Sequence, residues 1–132
     1  MYVEGKREGR PYAAALRIPF GPARWPEYDH HVVLAVDYLA SRRNGLPKPK
    51  ELMRLQDLED AIIDDLEGHG ALVATETGAG TRTIHVFVRN GPIVEMYRAH
   101  AQRDGAITVT VTHDPQWDGV AHLSVLAEPA AA

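Results

Sequence analysis

The sequence predicts an α+β domain built on an antiparallel sheet, and three observations lead to that fold class. Several short runs alternate apolar with polar residues, which is typical of strands with one buried face. Two longer runs place apolar residues at steps of three and four, which is typical of amphipathic helices. At 132 residues and 45% hydrophobic content, the chain is long enough for one domain with one core.

The first 29 residues are predicted to form a strand and a proline-rich loop that pack on the body of the domain. Residues 1–10 are polar and contain glycine, so we expect them to be frayed. The run YAAALRI, residues 12–18, is interpreted as a strand. Residues 19–29 contain three prolines and a glycine, which predicts a loop. The aromatic residues expected to anchor this loop are Phe20, Trp25 and Tyr28.

The body of the domain is predicted over residues 30–132. The run HHVVLAVDYLA, residues 30–40, is rich in β-branched residues and indicates a central strand. Residues 50–68 are predicted as a helix, because a proline precedes them and a glycine ends them. The apolar stripe of this helix consists of Leu52, Leu55, Leu58 or Glu59, Ile62 and Leu66.

A hairpin is predicted directly after this helix. Residues 71–77 and 81–89 are strand-like, and the sequence Gly-Ala-Gly between them has the length of a hairpin loop. Alternation assigns the side chains of the second strand to two faces. One face receives Ile84, Val86 and Val88, and the other receives Thr83, His85 and Phe87.

A second helix and a further strand complete the predicted sheet. Residues 91–105 are predicted as the helix, and residues 106–114 as the strand. In this strand the inward residues are Ile107, Val109 and Val111, and the outward residues are Thr108, Thr110 and Thr112. Residues 120–129 are expected to add an edge strand before a frayed, alanine-rich tail.

From residue 30 to residue 114, the order strand–helix–strand–strand–helix–strand is that of a ferredoxin-like split βαβ sandwich. Both helices then cover one face of the antiparallel sheet. The core is predicted between Leu55, Leu58, Ile62 and Leu66 of the first helix and Val32, Leu34, Val36, Ile84, Val86, Val109 and Val111 of the sheet. The opposite face is left for solvent or for a partner.

Charge and composition exclude several classes of function. The formal net charge is −4, and seven of the 18 acidic residues lie in residues 51–70. The sequence has no cysteine, which excludes disulfides, thiolate catalysis and cysteine zinc sites and is compatible with the cytoplasm. The N-terminus lacks the apolar run of a secretory signal, and no stretch has the length of a membrane span. We therefore expect a soluble cytoplasmic domain.

The seven histidines invite a metal site, but their spacing does not support one. The sequence has no His-Glu-x-x-His and no histidine pair at four-residue spacing. His30 and His31 are adjacent, so a strand would point them to opposite faces. His113 and Asp114 could form a supporting pair, although Asp-Pro after a strand already indicates a turn. We expect no metal and no cofactor.

Catalytic motifs are equally weak. Neither serine lies in a nucleophile elbow, and the glycine-rich loop lacks the rest of a phosphate-binding fingerprint. Glu76, Arg82 and His85 could form an acid–base set near the hairpin, but alternation separates His85 from Arg82. Arg82 would instead pack across the hairpin or anchor the Asp-Pro turn. A small hydrolase or ligand-binding enzyme with a polar site near the hairpin and His113 stays as the alternative, and catalysis is less expected than binding.

Two surfaces could bind a partner. The acidic face of the first helix contains Asp57, Asp60, Asp64 and Glu67, which either dock a basic partner or form an ordinary solvated face. The open face of the sheet contains Thr83, His85, Phe87, Thr108, Thr110 and Thr112. We expect no nucleic acid to bind there, because one aromatic residue, Phe87, and a neighbouring acid, Asp37, make a poor platform for stacking bases.

These surfaces predict a protein that acts by protein–protein interaction or self-association. A large half-apolar face is rarely left uncovered in a monomer, so we expect a homodimer with His85 and Phe87 near its centre. The competing arrangement is a monomer in which residues 120–129 fold back over the face.

Four segments of the chain resemble one family, and they occur in the same order. They are the Leu-Glu-Asp helix within GLPKPKELMRLQDLEDAIIDDLEG, the strand ending at Thr77 and the Gly-Thr-Arg turn within GALVATETGAGTRTIHVFV, and the later HDPQW. The matching positions are Leu58, Glu59, Asp60, Thr77, Gly80, Arg82, Asp114, Pro115 and Trp117. Over about residues 44–120 the chain resembles the uncharacterised bacterial family called domain of unknown function 695. The resemblance implies a shared fold. It implies no activity, because none is established for that family.

Overall fold

The computed structural model describes residues 2–7, 10–18, 21–39, 45–103 and 107–127. Within these ranges the chain forms six strands and two α-helices. In chain order they are β1 (Tyr2–Arg7), β2 (Arg10–Leu16), β3 (His30–Asp37), α1 (Pro49–Leu66), β4 (Gly70–Gly78), β5 (Thr81–Val88), α2 (Pro92–Arg103) and β6 (Ile107–His113). Two 3-10 helices, Pro22–Arg24 and Asp118–Ala127, lie before β3 and after β6.

The described strands form one open antiparallel sheet in the order β1-β2-β4-β5-β3-β6. The expected α+β class is therefore confirmed. The strand order differs from that of a four-stranded ferredoxin-like sandwich, because a β1–β2 hairpin extends the sheet beside β4. Residues 2–7, which were expected to be frayed, form β1, since their backbone pairs with β2 from Tyr2↔Ala15 to Arg7↔Arg10.

Helix α1 packs one side on the sheet. Leu55, Ile62 and Leu66 are buried as predicted, and Leu58 packs against the same cluster while remaining partly exposed. One stripe position differs from the expectation, since Leu52 is 38% exposed. Of the two alternatives Leu58 and Glu59, Glu59 is the more deeply buried, at 1% exposure, because ion pairs accompany it into the interior.

The β4–β5 hairpin has a tighter turn than expected. Gly78 still pairs with Thr81, so the turn itself consists of Ala79 and Gly80 alone. Both have positive φ, 52° and 85°. This is the backbone that two-residue hairpins need in order to match the strand twist, and glycine adopts it without steric cost.

The main core lies between the two helices and the first face of the sheet. Its buried members are Val32, Leu34, Val36, Tyr38, Leu55, Ile62, Leu66, Leu72, Ile84, Val86, Val88, Val94 and Tyr97. Ile107, Val109 and Val111 pack against it in part, because β6 has a neighbouring strand on one side only. The predicted inward residues of β3, β5 and β6 therefore share this face.

A second cluster covers part of the opposite face. The C-terminal 3-10 helix and the turn before it contribute Trp117, Val120 and Leu123, and the loop before β3 contributes Trp25 and Tyr28. The expected edge strand over residues 120–129 is thus wrong for residues 120–127, which belong to the 3-10 helix. Residues 128 and 129, and the expected anchor Phe20, lie outside the described residues. None of the described helices has the length and apolar character needed to cross a membrane.

Candidate functional site

The predicted binding face is divided into a covered part and an open part. Thr108, Thr110 and Thr112 on β6 are exposed, and Thr83 on β5 is half-buried. His85 and Phe87 are only 5% and 0% exposed. They are buried because the C-terminal 3-10 helix and the loop of Trp25 pack over β2, β4 and β5. The six predicted residues therefore share a face of the sheet without forming one continuous exposed surface.

A column of stacked rings fills the covered part. Trp25 stacks on Trp117 with ring centroids 5.7 Å apart, and Trp117 stacks on Phe87 at 4.6 Å. Phe87 stacks in turn on His31 at 4.5 Å, and His31 lies 5.1 Å from His85. Ring pairs at these separations contribute beyond the area that they bury, so the column fastens the loop and the tail to the sheet.

A buried chain of hydrogen bonds runs along the end of this column. His31 Nε2 lies 2.9 Å from His85 Nδ1, and His85 Nε2 lies 2.6 Å from Glu76 Oε2. The other oxygen of Glu76 accepts a hydrogen bond from Tyr12 and contacts His122 Nε2 at 3.1 Å. Because an ionised carboxylate only accepts, His85 donates through Nε2 and, while neutral, accepts from His31 through Nδ1. One tautomer of each histidine thus satisfies the whole chain.

Burial and hydrogen bonding set the charge states along this chain. Burial acts to raise the pKa of Glu76, but the hydrogen bonds from His85, Tyr12 and His122 outweigh it and lower the pKa to about 2. Burial, reinforced by repulsion from a charged His85, lowers the pKa of His31 to about 4 against the weaker opposing effect of Asp114. At neutral pH, therefore, Glu76 is an anion and His31 is a neutral ring.

The Asp-Pro turn holds the C-terminal helix over His31. Asp114 accepts hydrogen bonds from the backbone N–H groups of Asp118 and Gly119, both at 2.8 Å, which confirms that it forms a turn. Trp117 has a φ of 58°, and its ring donates to the Tyr28 carbonyl at 3.0 Å. Gly119 passes so close to His31 that a Cβ atom would lie 2.4 Å from His31 Nδ1.

A second buried polar cluster lies on the helix side of the sheet. Glu59 Oε1 accepts hydrogen bonds from Arg82 Nη2 and Arg17 Nη1, both at 3.1 Å, and Arg82 Nη1 donates to Thr77 at 3.2 Å. Arg82 therefore does not anchor the Asp-Pro turn, because it pairs with α1 on the opposite face from Asp114. The expected separation of Arg82 from His85 is confirmed, while Glu76 and His85 do meet.

The remaining histidine candidates contact carboxylates near the surface. His113 is 63% exposed in its side chain and lies 3.3 Å from Asp29, which also contacts His30 at 2.8 Å. The hydrogen bond from His30 is the main reason that the pKa of Asp29 is lowered. Among the residues that the structure describes, no three metal-binding side chains converge on a common point. The expectation that no metal binds stays a prediction.

The acidic face of α1 is exposed along its whole length. Asp57, Asp60, Asp64 and Glu67 all lie on the solvent side of the helix. Glu59, their neighbour in sequence, points into the protein instead. The four carboxylates are thus available to a basic partner, and docking there stays a prediction.

Sequence reasoning missed several polar residues that the fold brings together. His31 and His85 lie on adjacent strands but are not paired, since His31 pairs with Phe87 and His85 with Val33. Only the strand register places their rings together. Tyr12, Arg17 and His122 join these clusters from segments that the predicted four-stranded sheet did not include.

The chemistry of the histidine chain is that of a closed internal network. Two hydrogen-bonded imidazoles that end at the carboxylate of Glu76 can pass a proton along the chain. However, His31, Glu76, His85 and Asp114 are each at most 8% exposed, so a substrate has little access to them. The buried histidine–glutamate chain is therefore better suited to holding the C-terminal 3-10 helix on the sheet than to catalysis.

Over the described part of the chain, these features define an α+β domain with a six-stranded antiparallel sheet, two α-helices on one face and a C-terminal 3-10 helix packed on part of the other. The model of the family described as Family of unknown function (DUF695) matches residues 20–123, and the chain belongs to that family. The resemblance in the four sequence segments is thereby confirmed. Neither the curated proteins nor the solved structures include a significant match to the chain.

Proposed function

We propose that the protein is a binding domain that self-associates through β6, the strand at one edge of the described sheet. The observation that supports this most directly is the composition of that edge. The segment ITVTVTH contains no lysine, acidic residue, proline or glycine, and its ladder with β3 is regular from His30↔His113 to Val36↔Ile107. Natural sheets usually protect an exposed edge with charges, prolines or bulges, because unprotected edges pair with other strands.

The other edge supplies an internal comparison. Strand β1, at the opposite end of the sheet, contains Glu4, Lys6 and Arg7 within six residues, together with Gly5. Charges of this kind discourage strand addition. The two edge strands thus differ in their content of charged residues, which controls whether another strand can pair with them. Of the two, β6 is the edge suited to strand addition.

Pairing of two β6 strands about a twofold axis gives a simple register. An antiparallel pair centred on Thr110 sets Thr110 opposite its own copy and Thr108 opposite Thr112 of the second copy. Opposed threonines form favourable cross-strand pairs through their methyl and hydroxyl groups, and the edge N–H and C=O groups become paired. The homodimer predicted earlier centred on His85 and Phe87. The present proposal moves the contact to the exposed threonines, because those two residues are buried.

Sedimentation equilibrium of the wild type and two lysine variants tests the proposal. Thr110→Lys places two like charges directly opposite each other in the dimer. We therefore expect the association constant of the dimer to fall at least tenfold. Met53→Lys is the matched control, since Met53 is 65% exposed and lies on α1 rather than on β6. A wild type that stays monomeric at all micromolar concentrations would contradict the proposal, as would a Thr110→Lys variant that dimerises like the wild type.

Two finer assignments belong to the same proposal. We place the protein in the cytoplasm, which the absence of cysteine supports.

We also regard α1, α2 and the strands β4-β5-β3-β6 as a ferredoxin-like unit to which the β1–β2 hairpin has been added. The antiparallel pairing of β3 with both β5 and β6 supports this view. Fluorescence of the tagged protein in cells and an experimental structure of a relative without the hairpin would test the two assignments.

A further inference from the structure

We infer that a cavity between β2, the hairpin and α1 binds a small monocarboxylate. The cavity has a volume of about 390 Å³ and is separate from the β6 edge. Its polar lining includes Arg17, Gln56, Thr77 and Arg82, and its apolar lining includes Ala13, Ala15, Leu46, Pro47 and Leu52. A largely apolar pocket with a few convergent polar groups, at a volume above roughly 300 Å³, is the usual form of a small-molecule site.

The charge of the cluster behind the cavity favours an anion. Arg17 and Arg82 line the cavity, whereas the carboxylate that they share, Glu59, is buried behind them at 1% exposure. Among the residues that the structure describes around the cavity, these two guanidinium groups and one carboxylate give a formal charge of +1. A ligand with a single negative charge would therefore neutralise the cluster. A doubly charged phosphate would leave an uncompensated negative charge in the cavity.

The hydrogen-bonding capacity of the arginines is not exhausted. A guanidinium group has five N–H donors. Within the described part of the chain, Arg82 uses Nη1 for Thr77 and Nη2 for Glu59, and its buried Nε has no hydrogen-bond partner. Arg82 is itself only 8% exposed, so this donor is withdrawn from water. A buried donor without a partner is costly. Because Arg82 lines the cavity, a ligand acceptor that reached this nitrogen would relieve that cost.

The arrangement also fits the geometry of carboxylate recognition. The pairs with Glu59 and Thr77 hold the Arg82 side chain in place before a ligand arrives, which reduces the ordering cost of binding. Arg17, whose side chain is 37% exposed, stands on the open side and can close on a carboxylate as it enters. The alanine and leucine side chains then contact the aliphatic or aromatic body of the ligand. The ligand class is thus a short organic acid with one carboxylate.

Isothermal titration calorimetry with a small panel of probes tests the inference. The panel contains acetate, butyrate, hexanoate and benzoate, with benzamide as the neutral counterpart of benzoate and inorganic phosphate as the competing anion. We expect one or more of the larger carboxylates to bind with 1:1 stoichiometry, and benzamide and phosphate to bind at least tenfold more weakly. If no carboxylate binds, or if benzamide or phosphate binds as well as the best carboxylate, the inference is wrong.

Two variants of cavity-lining residues test whether the carboxylate binds in the cavity. Arg17→Gln removes a partly exposed charge and leaves the buried Arg82–Glu59 pair intact, while Ala15→Leu fills the cavity without touching the charges. Each should weaken binding of the best carboxylate at least tenfold, and the exposed control Arg24→Gln should leave it unchanged. Thr110→Lys should also bind normally, because the inference does not depend on self-association. Unchanged affinity in both cavity variants would overturn the site.

Discussion

The two faces of the sheet are closed in different ways. The first face is covered by two helices over an apolar core that extends from β4 to β6. Within the described residues, the second is covered at β2, β4 and β5 by a 3-10 helix, a loop and a column of rings next to a histidine–glutamate chain. The first face is closed mainly by apolar area, with one buried ion-pair cluster around Glu59, whereas the second depends on a hydrogen-bonded histidine–glutamate chain and leaves the threonines of β6 exposed. Stability is expected to come mainly from the first, and responses to conditions and partners from the second.

The largest expected effect is on the first face. Leu55 is fully buried, so Leu55→Ala should lower the free energy of unfolding by about 2–5 kcal/mol. Leu58→Ala should cost less than the same change at Leu55, because Leu58 is partly exposed. Leu52→Ala is the control, since Leu52 is 38% exposed and should cost least. Urea denaturation of the three variants measures how much free energy of unfolding each substitution removes. An equal loss for Leu52→Ala and Leu55→Ala would show that α1 packs differently.

The second face should make stability depend on pH. The pKa of His31 lies near 4 in the folded state and near 6.5 when unfolded, so the unfolded chain binds the extra proton between these values. The contribution of neutral His31 to the free energy of unfolding is therefore fully present above pH 6.5. It declines as the pH falls towards 4, by roughly 3 kcal/mol in total. Glu76, with a pKa lowered to about 2, extends the loss below pH 4.5.

Urea unfolding between pH 7 and pH 4 measures this dependence. The His31→Phe variant keeps a ring in the stack but cannot titrate, so its stability should vary less over this range. His113→Gln changes an exposed histidine and should keep the wild-type slope. Equal slopes in the wild type and His31→Phe would show that His31 does not carry the effect.

A smaller effect is expected where the tail crosses His31. In Gly119→Ala, the new Cβ would lie 2.4 Å from His31 Nδ1 and 2.6 Å from Cε1, so one of the two segments must move. Overpacking of this kind costs about 1–3 kcal/mol, and the displaced tail should become more sensitive to protease. Gly21→Ala is the matched control, because its Cβ would meet only ordinary contacts at 3.6 Å. Equal protease resistance in the two variants would argue against a tight clamp.

The smallest expected effect is that of metal. Only a ligand that prefers the folded state raises the melting temperature. We therefore predict that zinc leaves the melting temperature unchanged in differential scanning calorimetry. A stoichiometric, tightly held metal in the purified protein would contradict this and direct attention to the histidines of the second face.

The sequence predicted the first face well for a physical reason. Alternation and helical periodicity report directly on burial against apolar neighbours, so the elements between residues 30 and 114 were located to within a few residues. Glu59 was harder to place, because a charged residue is rarely buried unless it is paired, and its partners Arg17 and Arg82 are distant in sequence. The order of the full sheet was missed because the polar segment of β1 acquires its structure by pairing with β2.

The second face could not be predicted from local patterns. His31, His85 and Glu76 meet only through the registers of three strands, and the tail that covers them has no strand-like or helix-like periodicity strong enough to identify it. A charge introduced by His85→Glu would not be a clean test of self-association either. His85 is buried beside Glu76, so that change would set two carboxylates together and disturb the fold itself.

Hydrogen exchange at two protein concentrations tests the central claim most directly, namely that β6 is the part of the second face left free for association. Exchange followed by mass spectrometry separates peptides from β6 and from β1, the two edges of the same sheet. The account predicts that raising the concentration slows exchange in residues 107–113 and leaves residues 2–7 unchanged, because only the uncharged edge gains a partner strand. Exchange that is independent of concentration in β6, or that slows in β1 instead, would contradict it.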